Sequence, residues 1–515
     1  MSSTESSDEG APIPPPGPEQ AAGARAAAAR GPSGAEPQLG LAGGRETPEL
    51  PGASWTPLLL LALGLALLRF LRLGDWGLWV DEAHTLHDSL VPEGLSFLDF
   101  PLGYMLTKGV VAIAGSAPDE WSLRLLPACF GALGLPLTYW AFRPFVGRRR
   151  ALLAALLLGV SSWHLYWSQS ARAYTLAQDL ALIGGGLVTR GVLQGPPRRV
   201  LIGLGIAGLA VFAHPSAAFL LPVWVFGPAL LQRLGVELPR KYSLAPLVLL
   251  AAAGLLVLGG WGASVWSNYV DAKAGSSLLH FALSTGYYVT PFLVLGALLG
   301  ACVAWVRRQP VDLLALAVCA TVGGLGLCAA FFVRVTAQYV FVALPWIALL
   351  ATAPLDLRWV RERAWSRWAL LVLLLLPAAV DSALYFGPRH GNRPRWGEAY
   401  AYVWGERGPD DLVVGMAAPV GEYYLAPGTR HLRSHRSMVR LNAYFRHIPA
   451  HWARQGRRIW YVVRREDLAT WESDDRKQFI QMLETQCELE ATFEVDYTPR
   501  DLDVLVYVRE PSGGS

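Results

Sequence analysis

The residues most able to do chemistry stand in the segment Trp79-Val80-Asp81-Glu82-Ala83-His84, where two acids are adjacent and a histidine follows. A carboxylate within hydrogen-bond reach of a hydroxyl can take its proton as the hydroxyl attacks an electrophile. Asp, Glu and His84 are also usable metal ligands, although this spacing fits no defined metal motif. The other reading of the pair is a solvated loop. A further acid, Asp99, precedes Phe100-Pro101-Leu102. Basic residues complement the acids. Arg124, Arg172 and Arg334 stand at the edges of apolar runs, and His214 precedes Pro215 at another edge. A guanidinium binds phosphate well because its planar fork makes two charge-assisted hydrogen bonds; an arginine at such an edge can equally snorkel to the interface. His214 can contact a ligand or cap a turn. Asp179 lies within an apolar run, seven residues after Arg172, which predicts one helix face for both.

The elements that position these residues are set by composition. Hydrophobic residues make up 53% of the 515, and charged residues only 16%, against about 25% in ordinary soluble domains. Mean hydropathy is +0.32. The chain therefore reads as an integral membrane protein. A net charge of +4 offers no clustered basic surface for nucleic acid. The five cysteines form no paired zinc motif and no disulfide framework. Several of the 20 tryptophans, among them Trp163, Trp167, Trp261, Trp266 and Trp368, fall near the ends of apolar runs, as in an interfacial belt.

Residues 1–54, rich in Ala, Gly, Pro and Ser, predict a disordered cytoplasmic tail. Eleven apolar runs follow, from Trp55–Leu71 to Trp368–Phe386, most of them near the ~20 residues that a helix needs to cross a bilayer. Leu102–Ala114 is short and carries Lys108. Leaving it out of the bilayer puts 16 basic residues in the cytoplasmic loops and three in the short outer loops, as the positive-inside rule requires. The expected architecture is a polytopic α-helical membrane protein of about eleven transmembrane helices. Residues 74–123 form its first outer loop. Residues 387–515 form a small extracytoplasmic α/β domain, with strands at Asp411–Ala417, Arg458–Arg464, Glu488–Tyr497 and Asp503–Arg509 and a helix at Asp474–Gln486.

Taken in order, several segments resemble the GT-C glycosyltransferases, membrane enzymes that use polyprenyl-phosphate-linked sugars and include protein O-mannosyltransferases, the lipid A aminoarabinose transferase and Rgt-type transferases. These segments are Asp81-Glu82 in a first outer loop, Asp99-Phe100-Pro101 and Arg124-Leu125-Leu126-Pro127. Further on they are Ser168-Gln169-Ser170-Ala171-Arg172-Ala173-Tyr174, His214-Pro215, Gln338-Tyr339-Val340-Phe341-Val342-Ala343-Leu344-Pro345 and Arg395-Trp396-Gly397-Glu398-Ala399. The resemblance spans about Trp55–Tyr424. It implies an inverting transfer of a sugar from polyprenyl phosphate to a hydroxyl of a lipid, glycan or protein acceptor, on the outer face of a cell inner membrane. Asp81 would be the base, with Glu82 and Asp99 assisting at the acceptor or a divalent metal. Arg124, Arg172, His214 and Arg334 would bind the donor phosphate. No other cofactor is implied. The alternative is a non-catalytic transporter or flippase of lipid-linked sugars, which would place ionisable groups at mid-membrane and carry internal repeats.

Overall fold

Apolar runs become helices because hydrocarbon offers the backbone no hydrogen-bond partner, and a helix satisfies its N–H and C=O groups internally. The computed structural model describes residues 56–90, 100–114, 118–241, 244–272, 275–415, 418–425, 438–440, 456–468, 473–497 and 500–511. These lie in one compact unit, Glu46–Ser515. The tail expected at 1–54 lies outside the described residues.

Six helical stretches among the described residues are long and apolar enough to cross a bilayer: Glu120–Val160, Tyr174–Gln194, Pro215–Arg233, Pro310–Ala330, Ala337–Asp356 and Ala364–Phe386. Leu278–Val289 and Pro291–Arg307 make a seventh if this pair, bent by 95°, is one span. The bend sits at Thr290, which takes φ 72° ahead of Pro291. The count differs from eleven for identifiable reasons. The runs expected at Leu125–Phe142 and Ala151–Ala171 share one long element, interrupted at Gly147 with φ 76° and ψ 171°. The run at Val200–Ala213 lies in a helix of only 17 residues, Pro197–Ala213. Thr56–Phe70 and Pro101–Ala114 are shorter apolar helices, and the run expected at Tyr242–Val270 lies in the 29-residue helix Leu244–Ala272, which is not among the six.

Small residues let these helices approach closely, as is usual where lipid supplies no hydrophobic drive between them. A Cβ on Gly184 would stand 2.7 Å from Ala207 N and Gly203 O, so Tyr174–Gln194 and Pro197–Ala213 touch backbone to backbone. A Cβ on Gly300 would fall 1.9 Å from Leu350 O. At the ends expected to be cytoplasmic, buried Arg150 donates to Asp312 at 2.8 Å and to Asp356 at 2.9 Å, joining three helical segments. The expected tryptophan belt is only partly present. Trp266 and Trp368 are exposed, but Trp163 and Trp167 are buried among other rings.

The C-terminal region contains a five-stranded sheet. In chain order the strands are β1 (Leu412–Gly415), β2 (Met438–Arg440), β3 (Ile459–Val463), β4 (Glu488–Phe493) and β5 (Val504–Arg509), and their spatial order is β2-β1-β3-β5-β4. The β2-β1-β3 half is parallel, and β3-β5-β4 is antiparallel. Alternation along the strands serves two layers. Val413, Trp460, Val462 and Val506 pack on the helix Trp396–Glu406. Leu412, Ile459, Tyr461 and Val463 pack on Phe479 and Leu483 of the helix Ser473–Gln486. The short β2 and the helices Trp396–Glu406 and Ala418–Leu425 were not expected from the sequence.

Candidate functional site

The pair Asp81-Glu82 opens the helix Val80–Leu90. Acids favour a first helical turn because the unpaired N–H groups there carry partial positive charge. Glu82 reaches back to accept from Trp79 N at 3.2 Å. It is fully buried, and Arg124, equally buried, grips it with two teeth: Nε to Oε1 at 2.8 Å and Nη2 to Oε2 at 2.7 Å. Ala171 N donates to Oε1 at 2.7 Å, and Arg393 Nε lies 3.8 Å from Oε2. Burial alone would raise the Glu82 carboxyl. The Arg124 guanidinium, with Arg393 and the Ala171 amide, holds it below the usual carboxylate range. The remaining Arg124 donors satisfy the carbonyls of Leu73 at 3.2 Å, Trp76 at 2.7 Å and Gly77 at 3.0 Å. This geometry differs from the expected roles. Arg124 has its donors turned into the protein rather than toward a phosphate, and Glu82 is an internal anchor for the loop that carries Asp81.

Asp81, one residue earlier, faces a different environment. It is half-buried, and its carboxylate has no hydrogen-bond or ion-pair partner among the described residues. Its main chain is fixed: the Asp81 carbonyl accepts from Thr85 Oγ1 at 2.8 Å and lies 3.5 Å from Arg172 Nη1. Arg172 also donates to Thr85 Oγ1 at 2.7 Å and stands 5.1 Å from the Phe100 ring. It precedes the helix Tyr174–Gln194 rather than lying in it, so the helix face expected to join it to Asp179 does not exist.

Rings bring the scattered segments together. Trp79 meets Trp167 at 6.3 Å between centroids, Trp167 meets Tyr174 at 3.9 Å, and Tyr174 meets His214 at 4.1 Å. His214 in turn meets Phe100 at 5.2 Å and Tyr339 at 6.2 Å. Its Nδ1 accepts from Ser216 N at 3.2 Å, capping the turn Pro215–Leu220. His214 is therefore buried in the wall of the site as a cap. Arg334 is exposed beside Gly275, with no contact among the described residues to Asp81 or Arg172. Asp99 lies outside the described residues. Among the described residues no group of three or more His, Cys, Asp or Glu is arranged to hold a metal ion.

Sequence reasoning missed Arg393. It is fully buried and donates to Gln169 O at 2.7 Å, Ser170 Oγ at 2.8 Å and Tyr385 Oη at 2.9 Å, tying the chain after the last helix to the loop before Tyr174. The only signal was its place two residues before Arg395-Trp396-Gly397-Glu398. Tyr424 was also missed. Its hydroxyl accepts from Leu78 N at 2.5 Å and donates to Glu120 at 2.8 Å, clasping the loop from the C-terminal side. Arg69, in the helix Thr56–Phe70, is buried against the carbonyls of Leu158 and Gly159, at 3.2 and 2.8 Å. Asp179 is buried with both carboxylate oxygens unpaired among the described residues.

No protein-family model matches the sequence, and neither does any curated protein. Solved structures do match. ArnT from Cupriavidus metallidurans, in a crystal structure bound to undecaprenyl phosphate, aligns with a TM-score of 0.52 at 16% identity, over 90% of this chain and 100% of that one. The apo oligosaccharyltransferase of Archaeoglobus fulgidus aligns with a TM-score of 0.50 at 12% identity, over 80% of this chain and 70% of that one. At these identities the likeness is one of fold: the chain shares the fold of ArnT and of the archaeal oligosaccharyltransferase.

Proposed function

We propose that the protein is an inverting glycosyltransferase that moves a sugar from a polyprenyl-phosphate carrier to an acceptor hydroxyl on the outer face of a cell inner membrane. The acceptor oxygen attacks the anomeric carbon while Asp81 takes its proton. The carbon–oxygen bond to phosphate breaks, and the phosphate leaves with the electron pair. The observation that carries this reading is the contrast within one acidic pair. Glu82 is locked by Arg124, and Asp81 beside it has a fixed backbone and an unengaged carboxylate. Arg172, which approaches the same turn, is the cation for the leaving phosphate. Glu82, Arg124 and Arg393 position the loop, and His214 shapes the wall. ArnT bound to undecaprenyl phosphate supports a lipid-phosphate donor.

In this reading the chain crosses the membrane eleven times. Pro101–Ala114 lies along the outer surface, and the C-terminal sheet is extracytoplasmic. The acceptor belongs to a lipid, a glycan or a protein. Mass spectrometry of envelope lipids and glycans from a deletion strain identifies it. A single missing sugar is expected, and an unchanged envelope would refute the proposal.

A further inference from the structure

Two indole N–H groups in touching rings, one of them two residues before Asp81, have no hydrogen-bond partner among the described residues. Trp79 stands two residues before Asp81, and Trp167 lies in the short helix Ser162–Ser168; their rings are 6.3 Å apart at 58°. Both Nε1 atoms are buried and lack a hydrogen-bond partner among the described residues. The Trp167 side chain is only 3% exposed. An indole nitrogen donates and never accepts, and a buried donor left unpaired is destabilising unless something occupies it. Trp224 and Trp396 also have unpaired indole N–H groups. Trp224 lies in the same buried cluster as Trp167, packed on Trp346, and Trp396 packs on Tyr400 in the C-terminal region. Trp79 and Trp167 differ in being two unpaired donors whose rings touch each other, in the row of rings that runs from Trp79 to His214.

The chemistry of the missing partner follows from what surrounds it. Trp79, Trp167 and Arg172 offer donors only, and the Asp81 carboxylate is an acceptor without a partner among the described residues. A hydroxyl brings one proton to give and suits Asp81. A group that only accepts, with several oxygens on one centre, can serve two neighbouring N–H donors at once. Neutral donors in a buried wall also stabilise an anion without placing a further uncompensated cation beside Glu82, Arg124 and Arg393.

We propose that the indole N–H groups of Trp79 and Trp167 hold the phosphate oxygens of the polyprenyl-phosphate donor, an assignment that rests on the glycosyltransferase reading above. Trp79→Phe and Trp167→Phe each remove one N–H and keep an aromatic ring. Placing a benzothiophene amino acid at either position preserves the two-ring shape if Phe disturbs folding. The full chain in detergent is titrated with undecaprenyl phosphate and, separately, with undecaprenol, the same lipid without its phosphate. Each variant should bind undecaprenyl phosphate about tenfold more weakly, as expected for one hydrogen bond to a charged group. Binding of undecaprenol should not change, and Trp224→Phe should match the parent for both lipids. Unchanged phosphate binding would overturn the assignment, leaving the N–H groups to water. Equal losses for both lipids would overturn it in favour of ring packing. A parent chain that binds undecaprenyl phosphate no better than undecaprenol would instead remove the glycosyltransferase reading on which it rests.

Discussion

Replacing Glu82 with Gln tests the anchor beneath Asp81. Oε1 accepts from Arg124 Nε at 2.8 Å and Ala171 N at 2.7 Å, while Oε2 accepts from Arg124 Nη2 at 2.7 Å and Trp79 N at 3.2 Å. A glutamine has one oxygen and one NH2 in these places. Whichever way the amide is turned, its NH2 faces two donors, one of them an Arg124 N–H. Arg124 also loses its counter-charge, and Arg393 Nε, 3.8 Å from Oε2, loses its nearest carboxylate. Breaking one side of a buried ion pair costs about 3–5 kcal/mol. The same loss is expected for Glu82→Gln in the unfolding free energy of the detergent-solubilised protein. Replacing both partners, as Glu82→Leu with Arg124→Met, should cost less than the two single changes added. It should not be neutral, because the carbonyls of Leu73, Trp76 and Gly77 lose their shared donor. Transfer activity should fall with the anchor, through a loosened Asp81. A Glu82→Gln protein within about 1 kcal/mol of the parent would refute the reading of a buried, coupled pair.

Further outcomes are expected. A cysteine in the loop at 271–276 should react with a membrane-impermeant thiol reagent in spheroplasts, and one between Arg148 and Arg150 should not; the reverse pattern would invert the topology. Gly300→Ala would put a Cβ 1.9 Å from the Leu350 carbonyl, so two packed helices must part, at about 1–3 kcal/mol measured by unfolding. Burial lowers His390 from 6.5 to about 4. Its contribution to stability should be complete above pH 6.5 and be lost as pH falls from 6.5 toward 4. A melting-temperature series for His390→Gln should show less dependence in that window than the parent, and an identical pH profile would contradict the burial.

Much of the scaffold was legible because bilayer physics is written in one dimension. Uninterrupted apolar runs predict helices, and each run considered above coincides with helical chain in the structure. Where the helices break was less legible. Gly147 interrupts a helix through its positive φ, and Thr290 bends a pair through the proline after it; neither has a signature in hydropathy. The site was half legible. Asp81 stands out because two acids beside a membrane are rare; the family resemblance ranks it above Glu82, but the residue types and spacing alone do not. That distinction depends on which carboxylate meets Arg124, 42 residues away. Arg124 was misjudged for the same reason. An arginine at the edge of an apolar run looks the same whether it faces a phosphate or three backbone carbonyls. Arg393 and Tyr424 act through contacts more than 200 residues distant in sequence, and no local pattern reports such contacts.

The role of Asp81 as the base is tested most directly by Asp81→Asn in a transfer assay with purified protein, defined lipid-linked sugar and the identified acceptor. The amide keeps the size of the side chain and removes its capacity to take a proton. General-base catalysis contributes about 10²–10⁴-fold, so the variant should fold and bind polyprenyl phosphate like the parent while the transfer rate falls at least a hundredfold. A variant that transfers sugar at the parental rate would contradict the assignment of Asp81.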